Sequence, residues 1–187
     1  MKKQIIAAVL FSSFSLPSFA SGVYIFGDFE RNKAEADAGN FSISKTENGY
    51  GLGLGYNINN TFTLEFAYRD LMSFSERENY EDVEYRQDTD VTALQLSVLA
   101  NYPLNEKLKI YSRLGVGWLD IESDYSENVW GESDSESSSE SETKAMFGIG
   151  TRYAFTETLA VRFEYSRFAD IEETTLSSLS VGLSYNF

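Results

Sequence analysis

The stretch KAMFGIGTRYAFTETLAVRFEYSRF, which runs from Lys144 to Phe168, separates into two faces when every second residue is read. One face is apolar and rich in aromatic residues, and the other mixes glycine with arginine and glutamate. A period of two indicates β-strands, and the break at Thr156–Thr158 divides the stretch into a hairpin. A continuous apolar face opposite a polar face is typical of a membrane β-barrel, with lipid outside and a polar lumen.

The same alternation recurs along the rest of the chain and predicts eight strands in total. The strands predicted outside the hairpin are Gly22–Glu30, Gly49–Ile58, Thr61–Asp70, Thr89–Tyr102, Leu108–Leu119 and Leu176–Phe187. Short turns alternate with longer polar segments, as they do in barrels of the bacterial outer membrane. We therefore expect an all-β fold, an eight-stranded antiparallel up-and-down transmembrane β-barrel that crosses the Gram-negative outer membrane many times, with its long loops extracellular.

The phase of the alternation assigns the inward face of each strand. In the first strand it places Tyr24, Phe26 and Asp28 inward, although the two aromatic rings are apolar enough to face lipid instead. In the second strand, glycine occupies each inward position from Gly49 to Gly55. We expect these glycines to leave room in a narrow lumen for long side chains from other strands.

The first twenty residues have the features of a secretory signal peptide. Lys2 and Lys3 precede an apolar run over Ile5–Leu16, and the small residues Ser18 and Ala20 follow it. This run is too short to span a bilayer, which leaves a buried N-terminal helix as the alternative. We predict a signal peptide over residues 1–20 and a barrel domain over residues 21–187, with no transmembrane helix.

The composition excludes several classes of function. The chain contains no cysteine and no histidine, so disulfides, histidine-dependent catalytic triads and histidine-ligated zinc sites are unavailable. We expect no enzymatic activity, no cofactor and no bound metal. The formal net charge of −14 also argues against nucleic acid as a partner, because phosphates require basic patches.

The negative charge is concentrated in two segments that we expect to be acidic surface loops, at about residues 71–88 and 120–142. Residues 71–90 and 120–142 carry −5 and −9, which together account for the whole net charge. The second segment is serine-rich and almost free of apolar residues, which predicts disorder. Clustered carboxylates such as Glu132, Asp134 and Glu136 could bind calcium, but a solvated acidic brush is the favoured interpretation because the glycine spacing of a calcium loop is missing.

Three stretches give the chain a resemblance to the transmembrane domain of outer membrane protein A and to the related small opacity-type barrels. They are LEFAYRDL (Leu64–Leu71), YPLNEKLKIYSRLG (Tyr102–Gly115) and FGIGTRYAFTETLAVRFEY (Phe147–Tyr165). The C-terminal residues Gly182, Tyr185 and Phe187 are similar to the signal read by the barrel-assembly machinery, which implies that machinery as a partner during insertion. The chain stops at the eighth strand, so we expect no peptidoglycan-binding domain. We also expect a monomer surrounded by outer membrane lipid and lipopolysaccharide.

The resemblance also implies a lumen closed by internal salt bridges. Glu65, Arg113, Arg162 and Glu164 match the family's internal charges, whereas Leu99 and Arg152 stand where a lysine and a glutamate are expected. An altered network is therefore predicted. Its members are Asp28, Glu65, Arg69, Arg113, Arg152, Arg162 and Glu164.

Three functions remain open for such a barrel. The first is a structural or surface role with a lumen largely closed by the Arg/Glu pairs, since eight strands enclose a space just wide enough for their side chains. The second is an adhesin or ligand-binding surface built by the acidic extracellular loops. The third is a narrow, porin-like ion-conducting pore.

Overall fold

The computed structural model of the protein describes residues 22–38, 41–80, 83–129, 132–169 and 174–187. The predicted signal peptide lies outside these residues. The strands are β1 (Val23–Ala38), β2 (Phe41–Asn57), β3 (Phe62–Tyr80), β4 (Val83–Pro103), β5 (Leu108–Val129), β6 (Glu132–Ala154), β7 (Leu159–Phe168) and β8 (Thr174–Asn186). Each strand pairs with the next, β1 pairs with β8, and every pairing is antiparallel, so the sheet closes into the predicted eight-stranded barrel.

Burial alternates along the strands as the sequence predicts. In β1, Tyr24 and Phe26 are buried in the lumen while Phe29 is 58% exposed, so the inward phase of the first strand is confirmed. The outer wall carries a continuous set of exposed apolar side chains, among them Leu114 at 70%. A patch of this extent indicates an apolar environment around the wall.

Inward glycines let two aromatic rings fold across the lumen. A Cβ added to Gly55 would lie 2.1 Å from Cζ of Tyr24, and one added to Gly53 would lie 2.3 Å from Cζ of Phe26. The rings therefore rest on the backbone of β2. The prediction that these glycines leave room for long side chains is confirmed.

The polar segment 31–48, between the first two predicted strands, and the predicted acidic loops 71–88 and 120–142 are instead largely strand. The β1–β2, β3–β4 and β5–β6 ladders continue through them as long hairpins. The predicted disorder of 120–142 is therefore wrong for the residues that the structure describes there. Backbone pairing needs no apolar face. Toward β6, the outward acids of β5 pair with serines, as Asp120–Ser141, Glu122–Ser139 and Asp124–Ser137. Toward β4, acids face acids at Asp90–Glu122 and Asp88–Asp124, so the pairing holds there despite like charges.

Beyond the barrel proper, the wall divides into two parts. Pairing between β2 and β3 stops at Tyr50–Asp70, and pairing between β6 and β7 stops at Met146–Phe168. Past these points, β3, β4, β5 and β6 continue as one sheet, and β1 continues with β2 on one side and β8 on the other.

Candidate functional site

The centre of the lumen is a network of charged side chains around Glu65 on β3. Arg113 donates to Glu65 at 2.6 Å and Arg162 donates to it at 2.9 Å. Arg152 donates to the same carboxylate at 3.2 Å, and the Tyr24 hydroxyl is a fourth donor. Four other strands, not all of them neighbours of β3 in the sheet, are thus joined to β3 through one carboxylate.

Glu164 on β7 is the second acceptor of this network. Nε of Arg113 lies 2.8 Å from its Oε1, and Nη2 of Arg162 lies 3.2 Å from its Oε2. The Tyr111 hydroxyl adds a hydrogen bond of 2.8 Å. Arg162 therefore lies between Glu65 and Glu164, and Arg113 bridges the same two carboxylates.

A second layer of charge surrounds Arg69 on β3. Its guanidinium lies 3.2 Å from Asp28, contacts Glu30 and donates to Gln95 at 2.7 Å. Nε of Arg162 lies 3.3 Å from Asp28 and so connects the two layers. The structure brings all seven predicted lumen charges together.

Sequence reasoning missed Glu30, although it alternates with the inward Asp28. With Glu30 included, the network contains four arginines and four carboxylates and is formally neutral. The eight residues are Asp28, Glu30, Glu65, Glu164, Arg69, Arg113, Arg152 and Arg162. Neutrality matters because an uncompensated charge in a buried site is costly.

The two positions that depart from the family's pattern have different environments. Leu99 is fully buried and carries no charge into the lumen. Arg152 takes part in the network instead, because it donates to the Tyr24 hydroxyl at 2.8 Å and its guanidinium lies 4.4 Å from the centre of the Tyr24 ring. Tyr24 thus provides both a hydrogen-bond acceptor and a cation–π surface for this arginine.

An apolar cluster fills the lumen on the side of the long hairpins. Its buried members are Leu71, Met72, Ala93, Leu119, Met146, Phe168 and Leu176. A β-bulge between Asp70 and Met72 turns both Leu71 and Met72 inward, which strict alternation does not allow. The Asn32 amide donates to the Leu71 carbonyl at 2.6 Å and so satisfies the bulged backbone.

The opposite end of the lumen, beside the short turns, is open. A cavity of about 280 Å³ is lined there by polar side chains and ends at Arg152. The lining residues are Gly22, Asn57, Asn59, Asn60, Asn101, Lys109 and Arg152. From this vestibule inward, the lumen contains first the charge network and then the apolar cluster.

The predicted assembly-signal residues lie at the end of the last strand. Gly182 is buried opposite Asp28 in the β1–β8 register, whereas the rings of Tyr185 and Phe187 are exposed and pack edge to face with centres 5.4 Å apart. Their role in assembly stays a prediction.

No cluster of acidic, histidine or cysteine side chains suited to a metal occurs in the described part of the chain. The side chains of Glu132, Asp134 and Glu136, which raised the question of calcium, are not among the side chains that the structure describes. Among the described residues there is also no helix long and apolar enough to cross a membrane.

A closed barrel with an apolar outer wall and a charged, packed lumen defines an integral membrane protein of the β-barrel class. The comparisons with known proteins specify the class further. Residues 6–187 match the family described as outer membrane protein beta-barrel domain, and the chain belongs to this family. It is therefore a protein of the Gram-negative outer membrane.

Relatives and solved structures agree with this assignment. Outer membrane protein A of Escherichia fergusonii is 29% identical over 150 residues, covering 75% of this chain and 41% of the relative. The chain thus spans about two fifths of the length of that relative. The crystal structure of neisserial surface protein A matches with a TM-score of 0.62 at 16% identity, covering 89% of this chain and 98% of that chain. Ail, the attachment invasion locus protein of Yersinia pestis, matches with a TM-score of 0.55 at 16% identity, covering 89% and 99%.

Proposed function

We propose that the protein is a structural, surface-exposed barrel of the outer membrane whose lumen is closed to ions, with its long hairpins on the extracellular side. The observation that supports this proposal is the presence of two consecutive barriers in one lumen. The first barrier is the neutral network of four arginines and four carboxylates, and the second is the apolar cluster above it.

Each barrier opposes ion passage for a different physical reason. Arg113 and Arg162 are at most 1% exposed, so an ion at the network would have to displace a buried, paired guanidinium. An ion at the apolar cluster would have to lose its water without gaining a polar partner. Rearranging the Arg/Glu pairs alone would therefore leave the second barrier in place, which argues against a porin-like pore.

Single-channel recording of the purified, refolded protein in planar bilayers tests the closed lumen. We expect no resolved, reproducible conductance steps from folded protein. Stable steps that persist at low protein-to-lipid ratio would overturn the proposal, and a large-pore porin recorded in the same bilayers would show that insertion can be detected.

A second candidate, an adhesin or ligand-binding surface, is favoured by the sheet that β3, β4, β5 and β6 form beyond the barrel. Its outward face carries Asp90, Asp120 and Glu122, so a partner would present basic groups. A cell-binding assay tests this with the β5–β6 hairpin shortened by removal of 121–140. Shortening the β1–β2 hairpin is the matched control, and equal binding by both variants would count against the acidic sheet.

The remaining expectations concern partners and chemistry. We propose that the chain is a monomer, that it has no catalytic activity, and that Gly182, Tyr185 and Phe187 are read by the barrel-assembly machinery. The exposed aromatic pair at the end of β8 supports the last point, because it is accessible from outside the barrel. Assembly of a Phe187→Ala variant in vesicles carrying that machinery tests it, and an unchanged rate would contradict it.

A further inference from the structure

The outer wall carries a small basic patch on three adjacent strands. Arg31 and Lys33 on β1 are outward, since they alternate with the buried Glu30 and Asn32. Arg167 on β7 lies in the same phase as the exposed aromatic residues of that strand and next to the buried Phe168. Among the residues whose side chains the structure describes, the other cationic groups face the lumen side of the strands or lie in a turn.

The strand register places these side chains around one serine of β8. Lys33 and Arg167 both pair with Ser177, one from each side, and Arg31 pairs with the neighbouring Leu179. Two strand spacings separate β1 from β7, so the Cα atoms of Lys33 and Arg167 are about 10 Å apart. Two flexible cationic side chains at this separation can both reach one anion placed over Ser177.

Hydroxyl groups add further polar character to the patch. Arg167 donates to Oγ1 of Thr175 at 3.1 Å, and Ser177 lies between the two cationic residues. Lys33 also contacts Glu35 at 2.7 Å, with both side chains nearly half exposed. An exposed ion pair of this kind contributes little to stability, so another anion can readily replace Glu35 as the partner of Lys33.

The patch is distinctive because the corresponding positions on the opposite strands are acidic. The first charged outward residues beyond the apolar wall are Asp70 on β3, Asp90 on β4 and Asp120 on β5. The outer wall is therefore basic on the β7–β8–β1 side and acidic on the β3–β4–β5 side. An anion near this level of the membrane would be drawn to the basic side.

Apolar side chains lie directly below the patch. Phe29, Tyr165 and Leu179 are exposed apolar residues of the wall and belong to the same three strands. A ligand that covers both regions needs hydrocarbon chains joined to an anionic headgroup. A phosphorylated lipid has this chemistry, and a free anion would use only the upper region.

We propose that Arg31, Lys33, Arg167 and Ser177 form a binding site for the phosphorylated headgroup of an outer-leaflet glycolipid, whose acyl chains lie along Phe29, Leu179 and Tyr165. One phosphate sits between Lys33 and Arg167 and replaces Glu35 as the partner of Lys33. This inference rests on the proposed orientation, in which the long hairpins are extracellular. Labelling of a single cysteine introduced in the β1–β2 hairpin on intact cells tests that orientation separately.

The binding experiment uses the refolded full chain in detergent micelles at physiological ionic strength. Native mass spectrometry counts bound lipid during titration with diphosphorylated lipid A and, separately, with dephosphorylated lipid A. The test variant combines Arg31→Gln, Lys33→Gln and Arg167→Gln. Lys107→Gln, in the turn between β4 and β5, is the control for loss of a cation elsewhere.

We expect saturable binding of the phosphorylated lipid, weakened about tenfold or more in the triple variant and unchanged in Lys107→Gln. A variant combining Arg31→Lys and Arg167→Lys should retain most of the binding. Equal binding of the two lipids, or equal binding by the triple variant and the unaltered chain, would overturn the proposal. Full displacement of the lipid by inorganic phosphate would also overturn it, because a free anion would then suffice. If the triple variant does not fold, the single variants decide, and each should lose binding.

Discussion

Nη1 of Arg162 on β7 lies 2.9 Å from Oε1 of Glu65 on β3, a pair of residues 97 positions apart in the chain. Because β3 and β7 are not neighbours in the sheet, this hydrogen bond crosses the lumen rather than following the wall. It therefore stabilises the barrel's cross-section in a way that strand pairing alone does not.

Replacing Glu65 with Gln should destabilise the barrel by about 3–5 kcal/mol, because buried arginines would lose their common carboxylate. The change keeps the side chain's shape but leaves the network with one excess positive charge. Equilibrium unfolding in urea with lipid vesicles measures the free energy of unfolding.

Glu106→Gln is the matched control for this variant. Glu106 is exposed in the turn between β4 and β5, so its replacement should change the free energy of unfolding by less than about 0.5 kcal/mol. Equal stability of the two variants would mean that water, rather than Glu65, compensates the arginines.

Replacing Gly55 with Ala should destabilise the barrel by about 1–3 kcal/mol through overpacking. The new methyl group would lie 2.1 Å from the ring of Tyr24, whose hydroxyl donates to Glu65 and accepts from Arg152. Gly27→Ala on the neighbouring strand is the control, since the nearest atom to its methyl would be a flexible Leu52 methyl at 3.3 Å. Unfolding in urea compares the two, and a larger loss at Gly27 would contradict this packing argument.

The sequence predicts well which residues of the barrel wall face outward, because the two faces of each strand lie in different environments. Lipid outside selects apolar residues such as Leu114 and Phe163, and the narrow lumen selects glycine or charge, so a period of two reports the phase. In the long hairpins that extend past the closed barrel, both faces of a strand can contact water. The period then carries little information, which is why the long hairpins were predicted as loops.

It is harder to predict which lumen side chains pair with each other than to predict which side chains face the lumen. Phase alone places Glu65, Arg113 and Arg162 inward, but which atoms meet depends on the stagger between strands that are far apart in sequence. The bulge at Leu71 is a second case, because one unpaired residue reverses the phase of β3 beyond it. Strict alternation contains no signal for that reversal.

An arginine at Leu114 should cost roughly 2–4 kcal/mol, since this residue is 70% exposed on the lipid-facing wall, near the middle of the apolar stretch Leu108–Leu119 of β5. The same change at Leu104, in the turn that precedes β5, should cost less than about 1 kcal/mol. Unfolding of both variants from vesicles compares an identical substitution at two depths. A similar loss at both positions would mean that the bilayer does not surround the middle of the wall.

Asn32 should stabilise the bulge that gives the apolar cluster its shape. Its amide donates to the Leu71 carbonyl at 2.6 Å and its carbonyl accepts from Ser178, all within the buried interior. Asn32→Ala should therefore lower the free energy of unfolding by about 1–3 kcal/mol, because a buried carbonyl would lose its donor. Asn48→Ala, at an exposed outward position of β2, is the control and should change it by less than about 0.5 kcal/mol. Urea unfolding gives both values, and amide hydrogen exchange at Met72 should be faster only in the first variant; unchanged exchange there would show that the bulge persists without Asn32.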